Sequence, residues 1–281
     1  ATTAFNAANA WPSLSDGGKS LDIVFNADVT MVTSDNTDMT KTGQTSALTE
    51  GHGSQWSDGL EPHGDAIYSF AWQQALRTPE NVDYVFPGSL LNVKIGSNLI
   101  LCGPSLTADV AFNGTWGNLL AENRSQALYV LKGTLSLPAG GTFTVRAMNN
   151  GTIQIDSTIR GGGNLEVSGR GNTSAPSATT TLTGSNTAWL GKMSVKQESG
   201  TSGGKAYPSL ERFQTLRIDK AEALGGRLDA FTFDALTLQD YSKLHVTNSV
   251  TLPADSNRGL LVSGIAQVGA AADAALTVNW P

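Results

Sequence analysis

The feature that most constrains this chain is a return. A Leu-x-Val or Leu-x-Leu pattern comes back every twenty-odd residues from the middle of the sequence to its end. Counting from Val145, the next such positions are Val167 after 22 residues, Val195 after 28, Ile218 after 23, Leu238 after 20 and Val262 after 24. Self-similarity at a period of roughly 20 to 50 residues marks a solenoid, in which each repeat buries its apolar row on its neighbours. A β-sandwich would show tighter hairpins, with a turn roughly every 8 to 12 residues. The longest interval contains Asn172-Thr173-Ser174-Ala175-Pro176-Ser177, which reads as a loop inserted into one coil.

Local patterning agrees with strands. Runs such as Leu21-Asp22-Ile23-Val24-Phe25, Leu90 to Ile95, Thr142 to Arg146, Asn164 to Ser168 and Lys243 to Val246 alternate apolar and polar residues, as a strand with one buried face must. Asn150-Gly151 and Gly161-Gly162-Gly163-Asn164 supply turn signals between them. The chain holds 30 Thr, 26 Ser, 18 Asn and 31 Gly, while charged residues reach only 15%, against about 25% in an average domain. That bias favours strands and turns over helices. Helical spacing occurs only from Ala66 to Leu76, where Ile67, Phe70, Ala71 and Ala75 could share a face ahead of Pro79. The expected fold is all-β: a right-handed parallel β-helix with coils of about 20–25 residues over residues 56–281. Residues 1–55 are expected to be an irregular N-terminal cap over the apolar end of the stack, which would otherwise expose unpaired backbone.

Composition narrows the partners. A net charge of −6 argues against a nucleic-acid backbone. No stretch approaches the roughly 20 apolar residues of a membrane-spanning helix, and Ala1 begins no charged-then-apolar signal, so the chain reads as soluble with any export signal already removed. Cys102, the only cysteine, permits neither an internal disulfide nor a thiolate zinc site, and its run Leu99-Ile100-Leu101-Cys102 places it in a core.

Several stretches, taken in order, carry a resemblance. Ser157 to Gly169, then Thr181-Leu182-Thr183-Gly184-Ser185-Asn186-Thr187 and Gly191, are similar to the autotransporter-associated β-strand repeat. Ala221-Glu222-Ala223-Leu224-Gly225-Gly226 resembles the small segment after that repeat's strand, and Asn257-Arg258-Gly259-Leu260 resembles its downstream turn. Trp56-Ser57-Asp58-Gly59, Leu76-Arg77-Thr78-Pro79 and Tyr84-Val85-Phe86-Pro87-Gly88 resemble the opening of large repeat-bearing surface proteins of the Verrucomicrobia type. The resemblance implies a strand at Ala66 to Phe70 and a passenger-like module, exported to the extracellular space or the bacterial outer-membrane surface. It departs from the repeat at Ala188-Trp189-Leu190-Gly191-Lys192, where an aromatic and a Gly-Gly pair usually follow Asn-Thr, and it leaves residues 1–55 unplaced.

Motifs of catalysis are thin. Gly200-Thr201-Ser202-Gly203-Gly204 satisfies G-x-S-x-G, but a nucleophile elbow needs a helix after it and Tyr207-Pro208 follows instead. Asp16-Gly17-Gly18-Lys19-Ser20 imitates the end of a phosphate loop, yet Ser13 stands where its first glycine belongs. His52, His63, Glu61 and Asp65 crowd one polar segment that reads as a solvated loop, and His245 alternates outward. No metal site, calcium-binding repeat or cofactor is expected. Asp229, Asp234 and Asp240, with Arg227 and Lys220 close in sequence, are the candidate acid–base groups if the chain is a β-helix polysaccharide lyase or glycoside hydrolase. The favoured reading is a non-catalytic surface module, a stalk or adhesin engaging a glycan or host-surface ligand. Its candidate sugar platforms are Trp116, Trp189 and Trp56, set in turn-rich context. Clustered Asp, Arg and His in one groove would favour the enzyme, and a face lined by Thr, Ser and Asn would favour the module.

Overall fold

The computed structural model describes residues 10–15, 20–25, 27–31, 56–57, 62–64, 66–71, 74–114, 116–121, 128–148, 151–170, 178–198, 200–202, 205–207 and 213–279. Two parallel sheets dominate. One stacks eight strands, Ala75–Arg77, Asn98–Leu101, Trp116–Ala121, Thr142–Met148, Asn164–Arg170, Met193–Gln197, Thr232–Leu238 and Arg258–Val262. The longer sheet runs from Ala27–Thr30 and Ala66–Phe70 through Leu90–Lys94, Ser105–Asn113, Leu128–Leu137, Thr152–Ile155, Ala178–Leu182, Gln214–Ile218 and Ser242–Val246 to Ala266–Ala270. The chain visits the two sheets in turn, which makes a parallel β-solenoid of about seven turns. Helical structure among the described residues is confined to two short 3-10 turns, Ala221–Leu224 and Ala254–Ser256.

The alternation read from the sequence decides which side chains enter the core, because successive residues of a strand point to opposite faces. Register then places like on like. Leu99, Leu119, Val145, Val167, Val195 and Leu238 occupy one column of the eight-stranded sheet, and none has measurable exposure. Facing them, the longer sheet contributes Leu131, Ile155, Leu182, Ile218 and Val246, equally buried. Each such side chain removed from water stabilises the fold by about 1.5–3 kcal/mol.

Ile218 corrects the sequence reading, which put it in one row with Val195 and Leu238. It belongs to the opposite sheet, between Leu182 and Val246, while Val195 pairs directly with Leu238. The coil that separates those two is 43 residues long because it carries an antiparallel hairpin, Gly200–Ser202 against Lys205–Tyr207. That insertion made half a coil look like a whole one. Val167 does stand one coil before Val195, and the loop expected between them, Asn172 to Ser177, lies outside the described residues.

Ala66–Phe70 is a strand with all five residues buried, as the resemblance implied and against its helical spacing. The parallel sheet also reaches N-terminal of residue 56, since Ala27–Thr30 pairs with Ala66–Phe70. Ahead of it Ala10–Ser15 and Ser20–Phe25 pair antiparallel, and most of the rest of 1–55 lies outside the described residues. Cys102 is buried in a small cluster with Ala75, Ile100 and Leu120, apart from the main core. At the other end the inward columns run out at Val262 and Val268, each 50% exposed.

Replacing Leu216 by Ala, in a fully buried column between Thr180 and Leu244, is expected to lower stability by about 2–5 kcal/mol. Leu190→Ala, at a side chain 53% exposed, is expected to change it by less than about 0.5 kcal/mol. Urea denaturation followed by circular dichroism checks both.

Candidate functional site

Two of the three candidate sugar platforms are core residues. Trp189 is fully buried, its indole N–H donates to the Gly163 carbonyl at 2.7 Å, and its own backbone bridges to Gly161. The ring slips under the backbone because Gly191 has no side chain: a Cβ there would lie 1.8 Å from the Gly163 oxygen and 2.6 Å from the indole nitrogen. Trp56 is 2% exposed and packs edge-on against Tyr68, with ring centroids 4.8 Å apart. Neither presents a face on which a sugar could stack, so turn-rich flanks signalled close packing rather than binding. Trp116 opens the strand Trp116–Ala121, and its side chain lies outside the described residues.

The stretches that carried the resemblance prove to be couplings between coils. Asn186 is buried; its Oδ1 accepts the Ile159 amide of the preceding coil at 2.8 Å, and its Nδ2 donates to the Ala223 carbonyl of the next at 2.9 Å. Arg258 spans three carbonyls, donating from Nε to Gly226 at 2.7 Å and from its terminal nitrogens to Gly191 and Trp189 at 3.0 Å. Its guanidinium also stands over the Trp189 ring, 5.5 Å from the centroid. Asn257 takes the left-handed conformation, φ 56°, and donates to the Leu228 carbonyl at 2.7 Å. Desolvation lowers the Arg258 pKa to about 10, which still leaves it charged at neutral pH.

Beside this clamp lies a cavity of about 380 Å³ with an apolar floor that includes Leu224, Leu236 and Leu252. Exposed Glu222, Arg227 and Asp255 stand on its walls. Three of the guanidinium's five N–H groups are already bonded to carbonyls, so Arg258 serves the fold first. A second, more open cleft of about 270 Å³ is lined by Lys196, Gln197, Thr237, Gln239, Asp240 and Ser263.

The candidate carboxylates do not converge on either. Asp234 pairs with Lys192 at 2.8 Å, Asp240 accepts the Ile265 amide at 2.8 Å, and Asp229 is exposed outside both clefts. Of the group near Asp240, only Lys196 is a charged neighbour in the cleft, and it pairs with Glu166 at 2.6 Å. Glu198 likewise pairs with Arg146 and accepts from Ser168 at 3.2 Å. The Gly200-x-Ser202-x-Gly204 stretch holds one strand of the hairpin, with Ser202 paired to Lys205. Of the other polar segment, His63 donates its amide to the Tyr68 hydroxyl at 2.9 Å, whereas His52, Glu61 and Asp65 lie outside the described residues. Among the described residues no three His, Cys, Asp or Glu side chains gather to hold a metal ion.

The longer sheet turns a different surface outward. Thr152, Thr179, Thr215, Lys243 and Gln267 form one outward column, and Gln154, Thr181, Arg217, His245 and Gly269 form the next. Sequence reading took His245 as one surface residue; the register sets it beside Arg217 on the neighbouring strand and two residues from Lys243 on its own. Partial burial, then the charges of Lys243 and Arg217, lower its pKa from 6.5.

Arg258→Gln strands buried carbonyls and is expected to cost about 1.5–3 kcal/mol, with Arg258→Lys recovering little because an ammonium cannot reach all three acceptors. For His245 the folded state binds fewer protons than the unfolded state, so its contribution rises with pH and is lost on acidification through and below 6.5. Chemical denaturation between about pH 7.5 and 5 is expected to show wild type losing more stability than His245→Gln.

No family model matches this chain, and comparison with curated proteins and with solved structures finds no match.

Proposed function

We propose that this solenoid is a non-catalytic surface module that displays the outer face of its longer sheet to glycans outside the cell. One observation carries the reading: on that face half-buried Thr152, Thr179 and Gln154 continue in register into Thr181 and Thr215, each 9% exposed, so that a threonine recurs from coil to coil. Strand spacing of about 4.8 Å sets the interval. Such groups both donate and accept, which suits the hydroxyls of a sugar chain laid across the strands. Export rests on the resemblance of Ser157 to Gly169 and Asn257 to Leu260 to a repeat of surface-displayed proteins, and both stretches act here in coupling coils. The Asp240 cleft supports the second reading, a polysaccharide lyase or hydrolase, because a carboxylate and Lys196 both belong to its lining.

A glycan array run beside a depolymerase screen separates the two. Binding without chain cleavage is expected, unchanged in Asp229→Asn, Asp234→Asn and Asp240→Asn. Cleavage abolished by Asp240→Asn would give the site to the enzyme.

A further inference from the structure

Within that polar face lies a local reversal of charge. The chain carries a net charge of −6, yet Arg217, Lys243 and His245 meet on two adjacent strands, Gln214–Ile218 and Ser242–Val246. Cross-strand neighbours sit about 5 Å apart, and residues two apart on one strand roughly 7 Å. Every strand position around the three is neutral: Thr181 precedes Arg217 in its column, Gly269 follows His245, and Thr215 and Gln267 flank Lys243. Among the described residues neither Arg217 nor Lys243 has an ion-pair partner. Asp219, the carboxylate next along the chain, has one buried oxygen with no hydrogen-bond partner.

Arg217 is exposed, and Lys243 and His245 are half-buried. Gly269 bears no side chain where a Cβ would stand 3.5 Å from the Lys243 Cε and 3.7 Å from the His245 Nδ1, a buried nitrogen with no hydrogen-bond partner. Desolvation, and then the charges of Lys243 and Arg217, lower the pKa of His245, so Arg217 and Lys243 are the cations of the group at neutral pH.

We propose that Arg217, Lys243 and His245 form a binding site for the carboxylate or sulfate groups of an acidic polysaccharide. This deepens the reading above and rests on it. Arg and Lys make their strongest hydrogen bonds to anionic oxygens, and exposed Gln267 beside Lys243 bonds the hydroxyls that separate one acidic group from the next. A nucleic acid fits less well: its duplex carries about one charge per 1.7 Å, too dense for the two cations Arg217 and Lys243 on an acidic protein to neutralise.

Binding of the whole chain to heparin, polygalacturonate, neutral dextran, single-stranded DNA and phosphatidylserine vesicles tests this, by calorimetry at low salt and again with salt raised. Heparin or polygalacturonate is expected to bind, more weakly as salt screens the charges, while dextran, DNA and vesicles bind at least tenfold less. The triple variant R217Q/K243Q/H245Q is expected to lose at least tenfold in affinity with its circular dichroism and Tm unchanged. Gly269→Glu, which sets a carboxylate beside Lys243 and His245, is expected to do the same. Undiminished affinity in both variants, no polyanion binding by wild type, or DNA or vesicles held as tightly as the polysaccharide would each overturn the site. Neutral glycans bound in place of acidic ones would sink this site while leaving the module reading intact. Cleavage of polygalacturonate would overturn the non-catalytic reading, and the site would then stand or fall with the two variants.

Discussion

Everything in this molecule depends on in-register parallel stacking. Each coil is too thin to bury its own apolar side chains, so Val145 is covered by Leu119 on one side and Val167 on the other. Backbone ladders and side-chain columns therefore enforce the same alignment, and a slip of one residue would turn every column inside out. The polar insertions into the core obey the same logic. Asn186, at a turn, bonds to the coils before and after its own, while Arg258 reaches back to Gly226, Gly191 and Trp189 of coils before its own, and each fixes the relative height of the coils it joins.

Much of this was legible beforehand, and what was not has identifiable causes. The row Val145, Val167, Val195 and Leu238 follows from alternation and spacing, because both report the pleat directly. Ile218 was misplaced since spacing counts residues and not faces; an inserted hairpin gave half a coil the length of a whole one. Ala66–Phe70 has a helical spacing of apolar residues only because a strand buried on both faces has no polar side to show.

The site was harder to read. Tryptophan among glycines suggested sugar platforms, but Gly191 makes room for Trp189 inside the coil. Sequence cannot distinguish a glycine that bares a ring from one that admits it. The basic group on the longer sheet was invisible for the opposite reason: Arg217 and His245 are 28 residues apart, and only register makes them neighbours. The signal lay in the pattern itself, since Thr215-Leu216-Arg217 and Lys243-Leu244-His245 occupy equivalent places in successive coils.

The 43-residue coil between Val195 and Leu238 shows how the molecule keeps length and position separate. Its hairpin leaves from the seam between the sheets and the ladder closes behind it, so the neighbouring columns stay in step. Distance along the outer face is thus counted in coils and is indifferent to how much chain each coil contains. The face behaves as a ruler with a tick roughly every 4.8 Å, and its scale is untouched when loops at the seam grow, shrink or change sequence.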